Sequence, residues 1–274
     1  MAVELEIQDG NPWWMSPDLW AVPGIDPESP PGSPIVGQPC YLWARVRNNG
    51  SSTATNATVR YYWANPAVGF DRSTANLIGS SYVTLEPGEA RDVLCLTPWH
   101  PEFVNNGHEC ILGEAFLPGV DPILNTPVFN VPTDRHVAQR NLSVVTAARM
   151  MFMFSFAIHN PQRKPGKFQL RVETGNMEQL KPLQRHLGVN FQLPELTGNL
   201  VKHAFIPTPC ATDSIEETLQ QGSPLEPVQI EAGQRTGMTL IGQITEGAVL
   251  IHIEQIADEA TVGGISVLVL PDAT

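Results

Sequence analysis

The chain begins with a period-two pattern: in "MAVELEIQDG", Val3, Leu5 and Ile7 alternate with charged or polar residues, as in a half-buried strand. "CYLWARVRNNG" repeats the pattern, with Leu42, Ala44 and Val46 on one face and Tyr41, Trp43, Arg45 and Arg47 on the other. Its "NNG" ends the strand as a turn. "ATVRYYWA" sets Val59, Tyr61 and Trp63 on one face. "SSYVTLEPGEARDVLCLTPW" turns at Glu86-Pro87-Gly88 between two strand-like runs, and "NGHECILGEAF" adds another. Strands at this spacing, with Pro/Gly punctuation and no helical period, predict a seven-strand-type sandwich.

A second strand series begins near Arg140. "RMMFMFSFAIHN" places Phe152, Phe154, Phe156 and Ile158 on one face and Met151, Met153, Ser155 and Ala157 on the other. Both faces are apolar, which fits a strand buried on both sides or one whose second face meets another subunit. "GKFQLRVETG", "PVQIEAGQRTGMTLIGQI", "GAVLIHIEQIA" and "GGISVLVLP" complete the series. The two halves read as a degenerate repeat: "ARVRNNG" corresponds to "FAIHNP", and "VTLEPGEARDV" to "VQIEAGQRTGM". The expected fold is all-β, two tandem immunoglobulin-like antiparallel β-sandwiches over 1–140 and 141–274, with short helices in connections of the second.

Three segments depart from alternation. "PGIDPESPPGSPIVGQP", from Pro23 to Pro39, is too rich in proline for a helix or a central strand and reads as an edge segment or long loop. "GNMEQLKPLQRHLG" spaces Met177, Leu180, Leu183 and Leu187 helically, with Pro182 kinking or splitting the run. "TDSIEETLQQG" has Ser214 three residues before Glu217, a capping-box arrangement, and stops at Gly222.

Composition narrows the function classes. The 274 residues carry 16 basic and 28 acidic side chains, a net charge of −12, and both halves are acidic. Nonspecific nucleic-acid binding needs clustered Lys and Arg, which are absent. No basic-then-apolar leader opens the chain, so a signal peptide is not expected; either cytoplasmic folding or a signal-independent export route fits. No apolar run reaches the length of a membrane-spanning helix.

The order "WWMSPDLW", "YLWARVRNNGSSTATNATVRYYWA", "LEPGEARDV" and "NGHECILGEAF" resembles the CARDB-like, immunoglobulin-like modules of bacterial proteins, named for cell-adhesion-related domains. The resemblance covers residues ~11–140. It implies an immunoglobulin-type sandwich of the kind that accompanies extracellular or envelope proteins, and it says little about a ligand. The second half resembles no family.

Catalytic signatures are missing: no GxSxG, HExxH, Walker A, GxGxxG or EF-hand pattern occurs. The chain is therefore expected not to be an enzyme and to use no cofactor. Cys40, Cys95, Cys110 and Cys210 lack zinc-ligand spacing, and no metal site is expected. A Cys40–Cys110 bridge is conceivable; four buried thiols are the favoured alternative. His100 and His108, with Glu102 or Glu109, offer a weak metal spacing, and packing at a corner is the favoured role of His108.

"TDRHVAQRN" is the most distinctive polar stretch. Asp134, Arg135, His136, Gln139 and Arg140 suit either an interdomain brace or a site for an anionic or acidic partner. Trp13, Trp14 and Trp20 form an aromatic cluster ahead of the first long strand. They suit a segment folded back on the core, with Ser16 or Asp18 closing the turn. A ligand surface is the alternative. The function expected is non-catalytic protein interaction or assembly, through sandwich loops or strand edges, with a protein partner or a homo-oligomer. A carbohydrate- or surface-binding adhesin-like module using exposed aromatics is the alternative, and a toxin component or enzyme accessory is a weaker one.

Overall fold

The structure is a computed structural model. It describes residues 2–64, 67–68, 72, 75–102, 110–126, 128–188, 191–207 and 227–272. The chain is all-β and divides into two units. Unit 1 comprises Met1–Asn65, Asp71–Asn141 and Gln179–Gln192, and unit 2 comprises Pro66–Phe70, Leu142–Glu178 and Leu193–Thr274. Each unit thus includes a short segment from the other half of the sequence. The expected helix at 212–222, together with His108, Glu109 and Cys210, lies outside the described residues.

Unit 1 is built from β1 (Leu5–Glu6), β2 (Leu19–Pro23), β3 (Cys40–Asn48) and β4 (Ala54–Ala64), followed, after β5 (Ala67–Val68) of unit 2, by β6 (Asn76–Leu85), β7 (Ala90–Leu94), β8 (Cys110–Phe116) and β9 (Val137–Arg140). In one sheet β3 pairs with β1 and β2 and also with β7; the other sheet runs β6-β4-β8-β9. Burial alternates residue by residue along β3, as its sequence period predicts. Leu42, Ala44 and Val46 join Leu5, Ile7, Leu19, Val59, Tyr61, Leu85 and Trp99 in one core. Tyr61 keeps its hydroxyl satisfied there by donating to Val93 O at 2.7 Å.

Unit 2 contains β5 and then β10 (Leu142–Ala147), β11 (Met151–His159), β12 (Gly166–Thr174), α1 (Met177–Leu180, at the unit boundary), β13 (Leu200–Pro207), β14 (Val228–Ile230), β15 (Arg235–Ile244), β16 (Val249–Ala257) and β17 (Ala260–Pro271). Its sheets run β13-β15-β11-β5 and β10-β17-β16-β12-β14. Phe152, Phe154, Phe156 and Ile158 enter the core with Phe168, Leu240, Ile251 and Ile265. The opposite face of β11 is not buried throughout, because a strand in a two-layer unit gives only one face to the core; Met153 is 46% exposed. Among the described residues pairing is antiparallel except for β10 with β17 and β5 with β11. β10 enters the unit from its start and runs beside its last strand, a partner no hairpin constrains.

Pro182 splits the expected helix. α1 stops at Leu180, and a 3-10 turn continues from Lys181 to His186 with the proline in its first turn. Leu180 and Leu183 are fully buried. Among the described residues no helix is long and apolar enough to cross a membrane.

Candidate functional site

The polar stretch 133–141 resolves into two separate groups within unit 1. His136 Nδ1 lies 2.6 Å from Asp134 Oδ1. Its Nε2 is 3.1 Å from Asp121 Oδ1, an electrostatic contact without hydrogen-bond alignment. Arg135 also donates to Asp121, whose other oxygen accepts the Leu5 N–H at 2.6 Å. The cluster therefore pins β1 to the turn that precedes β9. Burial alone would raise the Asp134 carboxyl; the hydrogen bonds from the His136 ring and from the Leu124 and His136 N–H groups outweigh it and hold it below its ordinary value. Asp121 carried no signal in the sequence, since it sits apart from the stretch and pairs with it only in three dimensions.

Arg140 and Gln139 stand apart from this cluster. Arg140 is half-buried and donates to Leu19 O at 3.1 Å and His186 O at 3.4 Å. Burial lowers its guanidinium to about 10. Gln139 is buried, and its main-chain carbonyl accepts the Ser16 N–H at 2.9 Å.

The tryptophan segment folds onto unit 1. Trp14 is 1% exposed and Trp20 8%. Trp13 is half-buried and meets the Trp14 ring edge-on at 5.2 Å. Ser16 Oγ donates to Gln8 O at 2.6 Å and accepts the Asp18 N–H at 3.1 Å, while Asp18 accepts the Gln8 N–H at 3.0 Å and pairs with Arg47. Trp20 is stacked between Trp43 (6.1 Å) and His186 (4.8 Å). Burial, then the charges of Arg140, Arg185 and Arg45, lowers His186 to about 3, so this ring is neutral. A shallow groove of about 170 Å³ runs past Trp20 and Trp43, with Pro27, Glu28 and Asp92 on its walls. Cys40, Cys95 and Cys110 are buried, and no bridge joins Cys40 to Cys110. Among the described residues no group of three His, Cys, Asp or Glu side chains converges as a metal site.

The sheet edges of unit 1 differ in how they are closed. β9 is covered by the tryptophan segment, through Ser16 N–H to Gln139 O and Asn141 N–H to Trp14 O, both 2.9 Å. β2 is covered by the proline-rich loop, whose Gly32 N–H donates to Ala21 O at 3.0 Å. β1 gives its Leu5 N–H to Asp121. β7 is five residues long and carries Arg91 and Asp92, charges of the kind that deter edge pairing.

β6 has none of these guards. It is ten residues long, NLIGSSYVTL, with no charge and no proline. Among the described residues no strand pairs its outer side, and the main chain of 76–84 makes no backbone hydrogen bond except to β4. Leu77 is 58% and Tyr82 65% exposed, and Asn76, Ser80 and Thr84 are exposed beside them. In unit 2, edge strand β13 carries Lys202, Pro207 and a register irregularity, and β10 has one exposed residue, Thr146. An outward row of unpaired N–H and C=O groups on a long neutral strand is a template for pairing with another chain.

No protein-family model matches the chain, and no curated protein is similar to it. Among solved structures, the CupB6 tip adhesin from Pseudomonas aeruginosa is 10% identical, covers 98% of each chain and has a TM-score of 0.25. The transglutaminase of red sea bream is 11% identical over 94% of this chain and 32% of its own, with a TM-score of 0.22. The β-glucosidase DesR from Streptomyces venezuelae is 19% identical over 44% of this chain, which spans 14% of the enzyme, again with a TM-score of 0.22. Likenesses at these TM-scores carry no argument about function.

Proposed function

We propose that this chain is a non-catalytic protein-interaction or assembly protein, built on CARDB-like, immunoglobulin-like sandwich architecture and engaging its partner through the edge of β6. The sheet order of unit 1, with β3 between β2 and β7 opposite β6-β4-β8-β9, supports the immunoglobulin-like reading. The observation that carries the function is the contrast between β6 and the other edges of unit 1, each of which is covered, tied down or charged. Main-chain pairing supplies affinity at such an edge, and the exposed Leu77 and Tyr82 supply selectivity. The net charge of −12 keeps nucleic acid outside this reading.

The test is a photocrosslinking residue at position 80, compared with one at position 202 on the guarded edge β13, in cells that express the chain natively. A protein adduct at 80 that is absent at 202, and that Tyr82→Lys removes, is the expected result. Equal labelling at both positions contradicts the proposal.

The groove beside Trp20 and Trp43 favours a second reading, a neutral carbohydrate stacked on Trp43 with Glu28 and Asp92 accepting from its hydroxyls. Tryptophan fluorescence titrated with neutral oligosaccharides, with Trp43→Ala as control, tests it. A flat titration rejects it.

A further inference from the structure

The edge of β6 fits a second copy of β6. We propose that two copies of this chain pair antiparallel through residues 76–85, around a two-fold axis near Ser80, joining the two β6-β4-β8-β9 sheets into one continuous sheet. This names the partner of the edge assigned above and rests on that assignment.

The first support is the register of β6 on β4. Ser80 and Tyr82 lie opposite Arg60 and Thr58, whereas Ser81 lies opposite the core residue Val59. An irregularity follows: Gly79 pairs with Tyr61, and Leu77, not Ile78, pairs with Tyr62. In a regular strand Leu77 and Tyr82, five positions apart, would face opposite ways. The extra residue shifts that parity and places both on the outer face, either side of Ser80. Antiparallel self-pairing requires each residue to face one related by the two-fold. Centred on Ser80, it sets Tyr82 of one copy opposite position 78 of the other. Ile78 packs toward the core, so the outer-face neighbour of Tyr82 is Leu77, diagonal to it, twice. Aromatic and aliphatic side chains at such cross-strand positions pack well.

The second support is charge. With a net charge of −12, two copies repel wherever their acidic surfaces meet. β6 is a ten-residue neutral stretch, and the carboxylates that follow it, Glu86 and Glu89, lie beyond one end only. Antiparallel pairing carries the two sets of carboxylates to opposite ends of the shared strand pair, so the self-contact opposes no like charges.

Sedimentation equilibrium of the full chain over a wide concentration range tests the proposal. The mass is expected to rise from 30.0 kDa toward twice that value. Tyr82→Lys, which places a charge in each outer-face contact without touching the core, is expected to weaken association at least tenfold while leaving the thermal transition in place. Ser80→Cys is expected to give a reducible dimer on mild oxidation, with the wild-type chain as control for its own thiols. A chain monomeric throughout, association unchanged by Tyr82→Lys, or no dimer from Ser80→Cys each overturns the proposal. If the chain is monomeric but the residue-80 crosslink still finds another protein, only the identity of the partner fails. If that crosslink is also lost, the edge assignment fails with it.

Discussion

Asn48 and Asn160 share three equivalent side-chain hydrogen bonds in the two units. Asn48 Nδ2 donates to Ser52 O at 2.8 Å and Leu85 O at 3.1 Å, and its Oδ1 accepts the Gly50 N–H at 3.1 Å. Asn160 Nδ2 donates to Lys164 O at 2.9 Å and Ile230 O at 3.0 Å, and its Oδ1 accepts the Gln162 N–H at 3.0 Å. The main chains agree too: Gly88 N–H donates to Asn48 O and Gly233 N–H to Asn160 O, with both glycines at positive φ (76° and 68°). In each unit one fully buried asparagine ties the end of a central strand to the turn before a later strand. The repeat between the halves is thus preserved as a bonding pattern where sequence identity is weak.

Replacing either asparagine by alanine should leave a buried carbonyl, Leu85 O or Ile230 O, without its side-chain donor. An unsatisfied buried group costs about 1–3 kcal/mol. Calorimetry should show a lowered thermal transition for Asn48→Ala and for Asn160→Ala. An unchanged transition in either variant would mean that the strap is incidental there.

Trp14 is a core residue in this account. Trp14→Ala should lower stability by about 3 kcal/mol or more, the usual cost of deleting a buried aromatic. Chemical denaturation measures it. Loss of binding at unchanged stability would instead make the segment a ligand surface.

Asp9 should make stability fall toward neutral pH. Its Oδ1 is buried without a hydrogen-bond partner, beside a cavity of about 360 Å³ lined in part by Glu6 and Asp134. Burial, then the charge of Glu6, raises its carboxyl from 3.8 to about 7. The folded chain keeps a proton that the unfolded chain has released, so this contribution is complete below the unfolded value and is lost as pH rises through the folded one. Asp9→Asn should match the wild type in acid and exceed it at pH of about 8. A difference independent of pH would contradict this.

Asp134 acts with the opposite sign. Its carboxyl is held below 3.8, so its contribution is present above that value and is lost as pH falls through the lower folded one. His136→Ala removes the ring's hydrogen bond and should move acid unfolding to higher pH, read by circular dichroism. An unmoved acid midpoint would count against the Asp134–His136 pair.

Much of the architecture was readable in the alternation of "CYLWARVRN" and "MFMFSFAIH", because the core face of a strand is written at every second residue. Pro182 likewise announced the break between α1 and the 3-10 turn. Other features were hidden for physical reasons. Asp121 reaches His136 only through folding, and the parallel alignment of β10 with β17 joins residues far apart in the chain. The neutrality of NLIGSSYVTL is visible in the sequence; that this strand lies at the rim of its sheet is not, because strand order is a property of the whole sandwich.

The most direct test of an open, partner-accepting β6 is amide hydrogen exchange of residues 76–85 in the dilute chain and in the associated one. The account predicts rapid exchange for the outward-facing amides of β6 in the dilute chain and their protection on association, with the edge amides of β13 unaffected. Protection already complete in the dilute chain, or β6 amides that still exchange rapidly after association, would contradict it.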